Sequence, residues 1–286
     1  MHSFTLRAHE HCDTGENPLW DDRRRCVFWT DITNGKVFRY DIDAGTPRAI
    51  YEGEPVGGFT LQENGDLLLF RVNDIALLGE GGTPAVLLRC DDDGMERFND
   101  VIADPEGRVF AGTIGRTSES GGLYRLDPDG TLTKLFDGTG CANGMGFGPD
   151  GRTFYWTCST TRRIFRFHYD RKTGALSNRA LFYQATEAEG IPDGMCVDNT
   201  GHVWSARYDG SAIVRHNPQG HVVETIKTPV AKVTSCCLGG RDLDMLYVTS
   251  AGGRTGSGTA DGGLFSIEVS ALGLPEYRSR ISKPTP

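Results

Sequence analysis

Short runs of β-branched and aromatic residues recur along the chain at a nearly constant spacing. Six of them begin at Val27, Leu67, Val109, Phe154, Val203 and Leu246. Their starts lie 40, 42, 45, 49 and 43 residues apart, counted from those positions. Runs of this length and composition are typical of β-strands. The spacing therefore predicts six copies of one all-β unit.

Each copy is extended by further strand and turn patterns. Four of the runs are preceded by a dipeptide that ends in glycine. These dipeptides are Asn64-Gly65, Glu106-Gly107, Asp150-Gly151 and Thr200-Gly201. These pairs suit a hairpin turn, in which one residue needs a positive φ. Alternating apolar and polar residues follow at 36–40, 122–126, 163–167, 212–216 and 263–267. This alternation predicts half-buried strands after the turns.

A period of 40 to 50 residues with about four strands is the pattern of a β-propeller. We predict a six-bladed propeller that forms a single domain over residues 1–286, with the segment Phe4–Ala8 completing the last blade. A β-sandwich does not keep so constant a period, and an α/β fold needs helices of about ten residues between strands. The one helix-like piece, Thr186–Glu189, is a single turn long.

Composition agrees with a turn-rich globular protein and excludes other classes. The 286 residues include 38 glycines and 13 prolines, and the formal net charge is −8. Nucleic-acid binding needs a concentrated basic face, and none is present. No apolar stretch approaches the roughly 18 residues of a membrane span. We therefore expect a cytoplasmic protein with no nucleic-acid or membrane partner.

Several other patterns in the chain are interpreted as structural. The eight cysteines form no CxxC pair and are expected to be buried free thiols of a reducing compartment. His9-Glu-His11 lacks a third metal ligand at a known spacing and is expected on an exposed closing strand. The glycine-rich segment 252–263 has no strand-to-helix context for phosphate binding and is interpreted as a loop. A covalent catalytic triad has no support from spacing.

Alignment of the repeats brings one set of polar residues to a common position. Ten or eleven residues before the second strands stand Glu16, Asn99, Asn143 and Asp193, whereas the second and sixth repeats have Gly57 and Ser235. The innermost strands of a propeller line its central channel, so equivalent positions converge at one level of the axis. Four oxygen-bearing side chains from four blades are therefore predicted to meet there.

Carboxylates and amide oxygens form a site suited to a hard divalent cation such as Ca²⁺, Mg²⁺ or Mn²⁺. Zn²⁺ or Fe²⁺ also remains open, although no His or Cys belongs to the set. Taken singly, Asn143-Gly144 and Asp193-Gly194 are ordinary turn formers. Their shared position across repeats favours a metal site instead.

Five motifs in order resemble a known family. They are Gly15-Glu-Asn-Pro-Leu-Trp20, Arg97-Phe-Asn-Asp100 followed by Phe110-Ala-Gly-Thr113, Asn143-Gly-Met-Gly-Phe147, Pro192-Asp-Gly-Met-Cys196 and Thr234-Ser-Cys-Cys-Leu-Gly-Gly240. Together they resemble the senescence marker protein (regucalcin) and gluconolactonase family, from about Glu10 to Ile267. The resemblance implies a six-bladed propeller that hydrolyses sugar lactones with one divalent metal in its central channel.

The resemblance also implies roles for individual residues. The family's metal ligands match Glu16, Asn143 and Asp193, and its substrate contacts match Arg97 and Asn99. Two departures put the identity of the sugar in doubt. An acidic residue usual after the Ala-Gly-Thr motif is replaced by Arg116-Thr117, and the usual Asn-Asp-Gly becomes Asn-Asp-Val at 99–101.

The expected reaction is opening of an aldonolactone ring, in which the metal polarises the carbonyl group. Asp193 is the hypothesised general base; the alternative keeps it as a ligand only, with attack by water activated on the metal. Other hypotheses are a metal-dependent phosphotriesterase or arylesterase on the same fold, and a non-catalytic calcium-binding propeller. The sugar, the native metal (Ca, Zn, Mn, Mg or Fe(II)) and the oligomeric state are left open by the sequence.

Overall fold

Six four-stranded antiparallel sheets make up the fold. The structure is a computed structural model that describes residues 3–252 and 260–282. Blade one contains β2 (Gly15–Asp21), β3 (Cys26–Asp31), β4 (Lys36–Asp41) and β5 (Thr46–Glu52). Blade two contains β6 (Gly58–Leu61), β7 (Leu67–Phe70), β8 (Asp74–Leu78) and β9 (Ala85–Arg89). Blade three contains β10 (Met95–Ala103), β11 (Val109–Gly115), β12 (Gly121–Leu126) and β13 (Leu132–Thr139).

The second half of the chain repeats this order. Blade four contains β14 (Ala142–Phe147), β15 (Thr153–Cys158), β16 (Arg163–Asp170) and β17 (Ala175–Gln184). Blade five contains β18 (Ile191–Val197), β19 (Val203–Tyr208), β20 (Ala212–His216) and β21 (Val222–Lys227). Blade six contains β22 (Val233–Gly239), β23 (Met245–Ser250), β24 (Leu264–Glu268) and the N-terminal β1 (Thr5–Ala8).

The predicted six-bladed propeller is confirmed, including the closure of its ring. Strand β1 pairs antiparallel with β24, with Thr5 opposite Ser266, so the last blade takes its outermost strand from the start of the chain. Each of the six predicted aromatic runs lies in the second strand of its blade. In the turn before one of these strands, Gly201 has φ 82° and its N–H donates to the carbonyl of Asp198. This is the positive φ that the sequence predicted there.

Helical structure within the described residues is confined to two 3-10 turns. One spans Glu187–Glu189 and has the capping box formed by Thr186 and Glu189, so the predicted single turn is present. The other, Ser159–Thr161, has no side-chain cap and was not predicted. None of the described helical segments has the length and apolarity that crossing a membrane requires.

Apolar side chains from neighbouring sheets form the core. The largest fully buried side chains include Trp29, Trp156 and Trp204, all on second strands. Trp204 of blade five packs in one cluster with Val248 and Phe265 of blade six. Burial of such a side chain stabilises the fold by roughly 1.5–3 kcal/mol. Apolar side chains of neighbouring blades therefore pack against each other, and these contacts hold the ring together.

The cysteines and the N-terminal histidines can now be placed. All eight cysteines are free thiols, and only Cys141 and Cys196 are less than fully buried, as the composition predicted. His9 and His11 follow the end of β1, so the prediction that they lie on the closing strand is wrong. Of the glycine-rich loop predicted at 252–263, residues 253–259 lie outside the described part of the chain.

Candidate functional site

Five of the six innermost strands carry a β-bulge at the same level. The pairing register shifts between Glu16 and Leu19, Phe98 and Val101, Asn143 and Met145, Pro192 and Met195, and Val233 and Ser235. In blade two, β6 pairs with β7 without interruption. A bulge bends its strand and re-aims a side chain. Four of these five bulges lie at the predicted site residues Glu16, Asn99, Asn143 and Asp193, all of which are buried, and the fifth lies at Ser235.

The pairs Asn143-Gly144 and Asp193-Gly194 lie in strands, so neither forms the turn that such a pair favours when taken singly. Asn143-Gly144 belongs to β14 and Asp193-Gly194 to β18. A Cβ atom on Gly144 would lie 2.5 Å from the carbonyl oxygen of Asp193, and one on Gly194 would lie 2.0 Å from Oγ of Ser235. Glycine is needed here because adjacent innermost strands approach too closely for a side chain.

Hydrogen bonds join the innermost strands of neighbouring blades next to the site residues. Asn99 Nδ2 of blade three donates to the carbonyl of Ala142, 2.9 Å away in blade four. Thr234 Oγ1 of blade six donates to the carbonyl of Gly15, 2.5 Å away in blade one. Residues from repeats far apart in sequence are therefore held at one level around the axis.

Arg97 and Asn99, the predicted substrate contacts, form a pair on β10. Nη1 of the half-buried Arg97 donates to Oδ1 of Asn99 at 2.7 Å and to the carbonyl of Phe98 at 2.8 Å. The amide oxygen of Asn99 therefore already accepts a hydrogen bond from the guanidinium of Arg97. This separates Asn99 from Glu16, Asn143 and Asp193, whose oxygen atoms are not bonded to any basic side chain in the described residues.

The carboxyl groups at this level repel one another. Burial, followed by the negative charges of Asp100 and Asp193, raises the pKa of Glu16 well above its ordinary value. Burial and the charge of Asp100 likewise raise the pKa of Asp193, although the side-chain amide of Asn143 and the backbone N–H of Gly194, both nearby, oppose the increase. Burial raises the pKa of Asp100 to about 7. Such a cluster is costly in the ionised form unless a cation compensates it.

The donors fit a hard divalent cation. Oδ1 of Asp193 is buried and accepts no hydrogen bond from any described residue, which is unusual for a buried carboxylate oxygen. Across residues 3–252 and 260–282, no three His, Cys, Asp or Glu side chains are grouped so as to hold a metal without other donors. A set built on Glu16 and Asp193 would therefore need a donor of another type, and the amide oxygen of Asn143 is one at the same level. Carboxylate and amide oxygens are what Ca²⁺, Mg²⁺ and Mn²⁺ prefer.

Three residues at this level were not among the predicted site residues. Asp100 follows Asn99 directly, and its acidity beside a candidate residue was the available signal. The Sγ atom of Cys141 lies 3.9 Å from Nδ2 of Asn99 and 3.8 Å from Nδ2 of Asn143. Burial raises the pKa of this thiol to about 12, so it is neutral. Asn17, next to Glu16, is the third.

A cavity of about 100 Å³ lies between the innermost strands and the C-terminal segment. Its lining includes Asp100, Ser235, Cys196 and Glu276. Burial raises the pKa of Glu276 to about 7, although Arg278 opposes the increase. The segment that carries Glu276 is tied to the propeller where Arg278 Nη2 contacts Asp21 at 2.7 Å. The C-terminal residues therefore cover one side of this cavity.

Comparison with known proteins agrees with the motifs and the fold. Residues 14–252 match the model of the SMP-30/Gluconolactonase/LRE-like region. The pentonolactonase of Haloferax volcanii is 41% identical, over 94% of this chain and 96% of the relative. Regucalcin of Gallus gallus is 36% identical, over 92% of this chain and 93% of the relative.

Solved structures show the same architecture. A calcium-binding protein, regucalcin, from Agrobacterium tumefaciens superposes with a TM-score of 0.90 at 24% identity, covering 97% of this chain and 98% of that one. A gluconolactonase from Xanthomonas campestris superposes with a TM-score of 0.78 at 21% identity, covering 93% and 89%. The family match over most of the chain and the two relatives above 30% identity are decisive. This chain is a member of the SMP-30/gluconolactonase/LRE-like family.

Proposed function

We propose that this protein is a hydrolase that opens a sugar lactone to the aldonic acid, with a divalent cation held by Glu16, Asn143 and Asp193. The observation that carries the proposal is the buried Oδ1 of Asp193, which has no hydrogen-bond partner among the described residues and lies in a bulge at the level of Glu16 and Asn143. The relatives support the substrate class, since one is named a pentonolactonase and a solved neighbour a gluconolactonase.

A cation bound there would polarise the lactone carbonyl and stabilise the charge that develops on its oxygen. Asp193 accepts a proton from the water that attacks the carbonyl carbon. The bond between that carbon and the ring oxygen then breaks, and Asp193 returns the proton to the ring oxygen. One lactone and one water thus give one hydroxy acid, with no other reactant.

Arg97 and Asn99 orient the substrate in this proposal. A guanidinium has five N–H donors, so Arg97 can hold Asn99 and still donate to a substrate hydroxyl or carbonyl. Asn99 is fixed from two sides, by Arg97 and by its bond to Ala142. A rigid donor pair of this kind lowers the entropy cost of placing the lactone carbonyl beside Asp193.

The direct test is hydrolysis of a panel of aldonolactones, followed with a pH indicator after chelation and readdition of Ca²⁺, Zn²⁺, Mn²⁺, Mg²⁺ or Fe²⁺. Asp193→Ala and Asn143→Ala are expected to abolish metal-dependent turnover and to retain the circular dichroism of the folded protein. Asp242→Ala, a change at an exposed residue, is the control. Full activity of either site variant, or of the chelated protein, would contradict the proposal.

Two further measurements separate the mechanistic alternatives. If Asp193 is both ligand and base, Asp193→Asn keeps a low kcat even at saturating metal; if it is a ligand only, excess metal restores kcat. Calcium binding by calorimetry without turnover of any lactone would instead indicate a binding protein, and hydrolysis of an organophosphate or aryl ester alone would indicate another esterase. Each of these last two outcomes overturns the lactonase proposal.

A further inference from the structure

Asn17 has an unusual backbone conformation beside Glu16. It lies in the bulge of β2 with φ 49°, in the left-handed region that few residues other than glycine adopt. In this conformation its N–H donates to Oε2 of Glu16 at 2.9 Å. The carboxylate of Glu16 is thus held by the backbone of the residue that follows it.

The side chain of Asn17 fixes this conformation from the neighbouring blade. Its Oδ1 accepts a hydrogen bond from the N–H of Phe59 in β6, at 2.5 Å. Asn17 is 8% exposed and Phe59 is fully buried, so water cannot readily replace the bond. Phe59 is held in turn by the regular pairing of β6 with β7. The bulge in blade one is therefore anchored to the one innermost strand that has none.

Blade two makes room for this bond by having a second glycine, Gly58, directly after the aligned Gly57. A Cβ atom on Gly58 would lie 3.1 Å from Oδ1 of Asn17 and 3.0 Å from the carbonyl oxygen of Asn99. The side chain of Asn17 and the backbone of Asn99 therefore approach each other across Gly58. A side chain at that position would push against both.

We propose that Asn17 is a positioning residue for Glu16, and that its bond to Phe59 across the blade boundary sets the affinity for the divalent cation. The inference rests on the proposed function. Glu16 shares its surroundings with two other carboxyl groups, Asp100 and Asp193, which repel it when all are ionised. Holding Glu16 against this repulsion before the cation arrives lowers the cost of binding.

The test compares two substitutions that separate backbone from side chain. Asn17→Gly keeps the N–H and the positive φ but removes the bond to Phe59. Asn17→Asp keeps an oxygen that can accept that bond. We expect Asn17→Gly to weaken Mn²⁺ and Ca²⁺ binding about 10-fold by calorimetry, in the range typical of residues that support metal ligands. Asn17→Asp should bind at least as tightly as the unchanged protein.

Kinetics provide a readout that a merely structural role would not give. At saturating metal, Asn17→Gly should have kcat and KM within about threefold of the unchanged protein, whereas the metal concentration for half-maximal activity should increase about 10-fold. The control is Asn178→Gly, the same substitution at an exposed asparagine with φ 54° on β17. It should leave metal binding unchanged.

A second variant protects the test against misfolding of the first. Gly58→Ala leaves Asn17 intact but places a methyl group against its Oδ1, and it should also weaken metal binding. Unchanged metal affinity in folded Asn17→Gly or Gly58→Ala, or equal loss in Asn17→Asp and Asn17→Gly, would overturn the inference. If the unchanged protein binds no divalent cation, or Glu16→Gln binds it equally well, the proposed function fails instead.

Discussion

Replacing Asp100 by Asn should stabilise the metal-free protein at neutral and alkaline pH. Burial raises the pKa of this carboxyl from 3.8 to about 7. Between these values the folded protein binds more protons than the unfolded chain, so its stability falls as the pH rises from about 4 to about 7. Each pH unit is worth about 1.4 kcal/mol, which gives a cost of at most about 4 kcal/mol above pH 7.

Asp100→Asn removes this cost and also the charge that raises the pKa of Glu16 and Asp193. The assay is urea unfolding of chelated protein at pH 5 and pH 8. The variant should be more stable than the unchanged protein at pH 8, by up to a few kcal/mol, and should lose less stability between the two pH values. Asp129→Asn, in an exposed turn, is the control. An equal pH dependence in Asp100→Asn, or lower stability at pH 8, would refute the reasoning.

Three other outcomes follow from the same contacts. Chelation should lower the Tm, because a bound cation relieves the repulsion between the carboxyl groups. A cation present at 100 times its Kd would stabilise the fold by about 2.7 kcal/mol. An unchanged Tm would argue against a metal at this level. Gly194→Ala should reduce both stability and metal affinity, since the new Cβ would lie 2.0 Å from Oγ of Ser235. Adding Ser235→Gly should restore part of the loss. Thermal unfolding with and without Mn²⁺ measures both effects. Arg278→Ala should lower the free energy of unfolding in urea by about 3 kcal/mol. The reason is that Asp21, which is 0% exposed, would keep only Arg24 as an ionic partner among the described residues. A decrease below about 0.5 kcal/mol would contradict this prediction.

The candidate site could be predicted from the sequence only in part. Their shared position in the repeat identified Glu16, Asn99, Asn143 and Asp193, because equivalent positions in a ring of blades face the same axis. Asp100 escaped this alignment because it lies one residue after the aligned Asn99, and its burial beside two carboxyl groups of other blades is visible only in the structure. Repulsion between charges depends on distance in space, and the three carboxyl groups come from separate repeats.

Asn17 illustrates the same limit for backbone conformation. An asparagine before proline is an ordinary feature of a chain, and the residue before proline is usually extended. The positive φ of Asn17 is maintained by Phe59, 42 residues later in the chain and in another blade. No local pattern contains that partner.

The sequence by itself determined the architecture of this protein. Strand length, alternation and the repeat period are local properties, and they specify six sheets, the turns between strands and the strand that closes the ring. Only the tertiary structure decided which bulges form, which glycines allow neighbouring strands to touch and which carboxyl groups share one buried level. Those features arise from packing between blades, and packing depends on residues that are distant in sequence and adjacent in space.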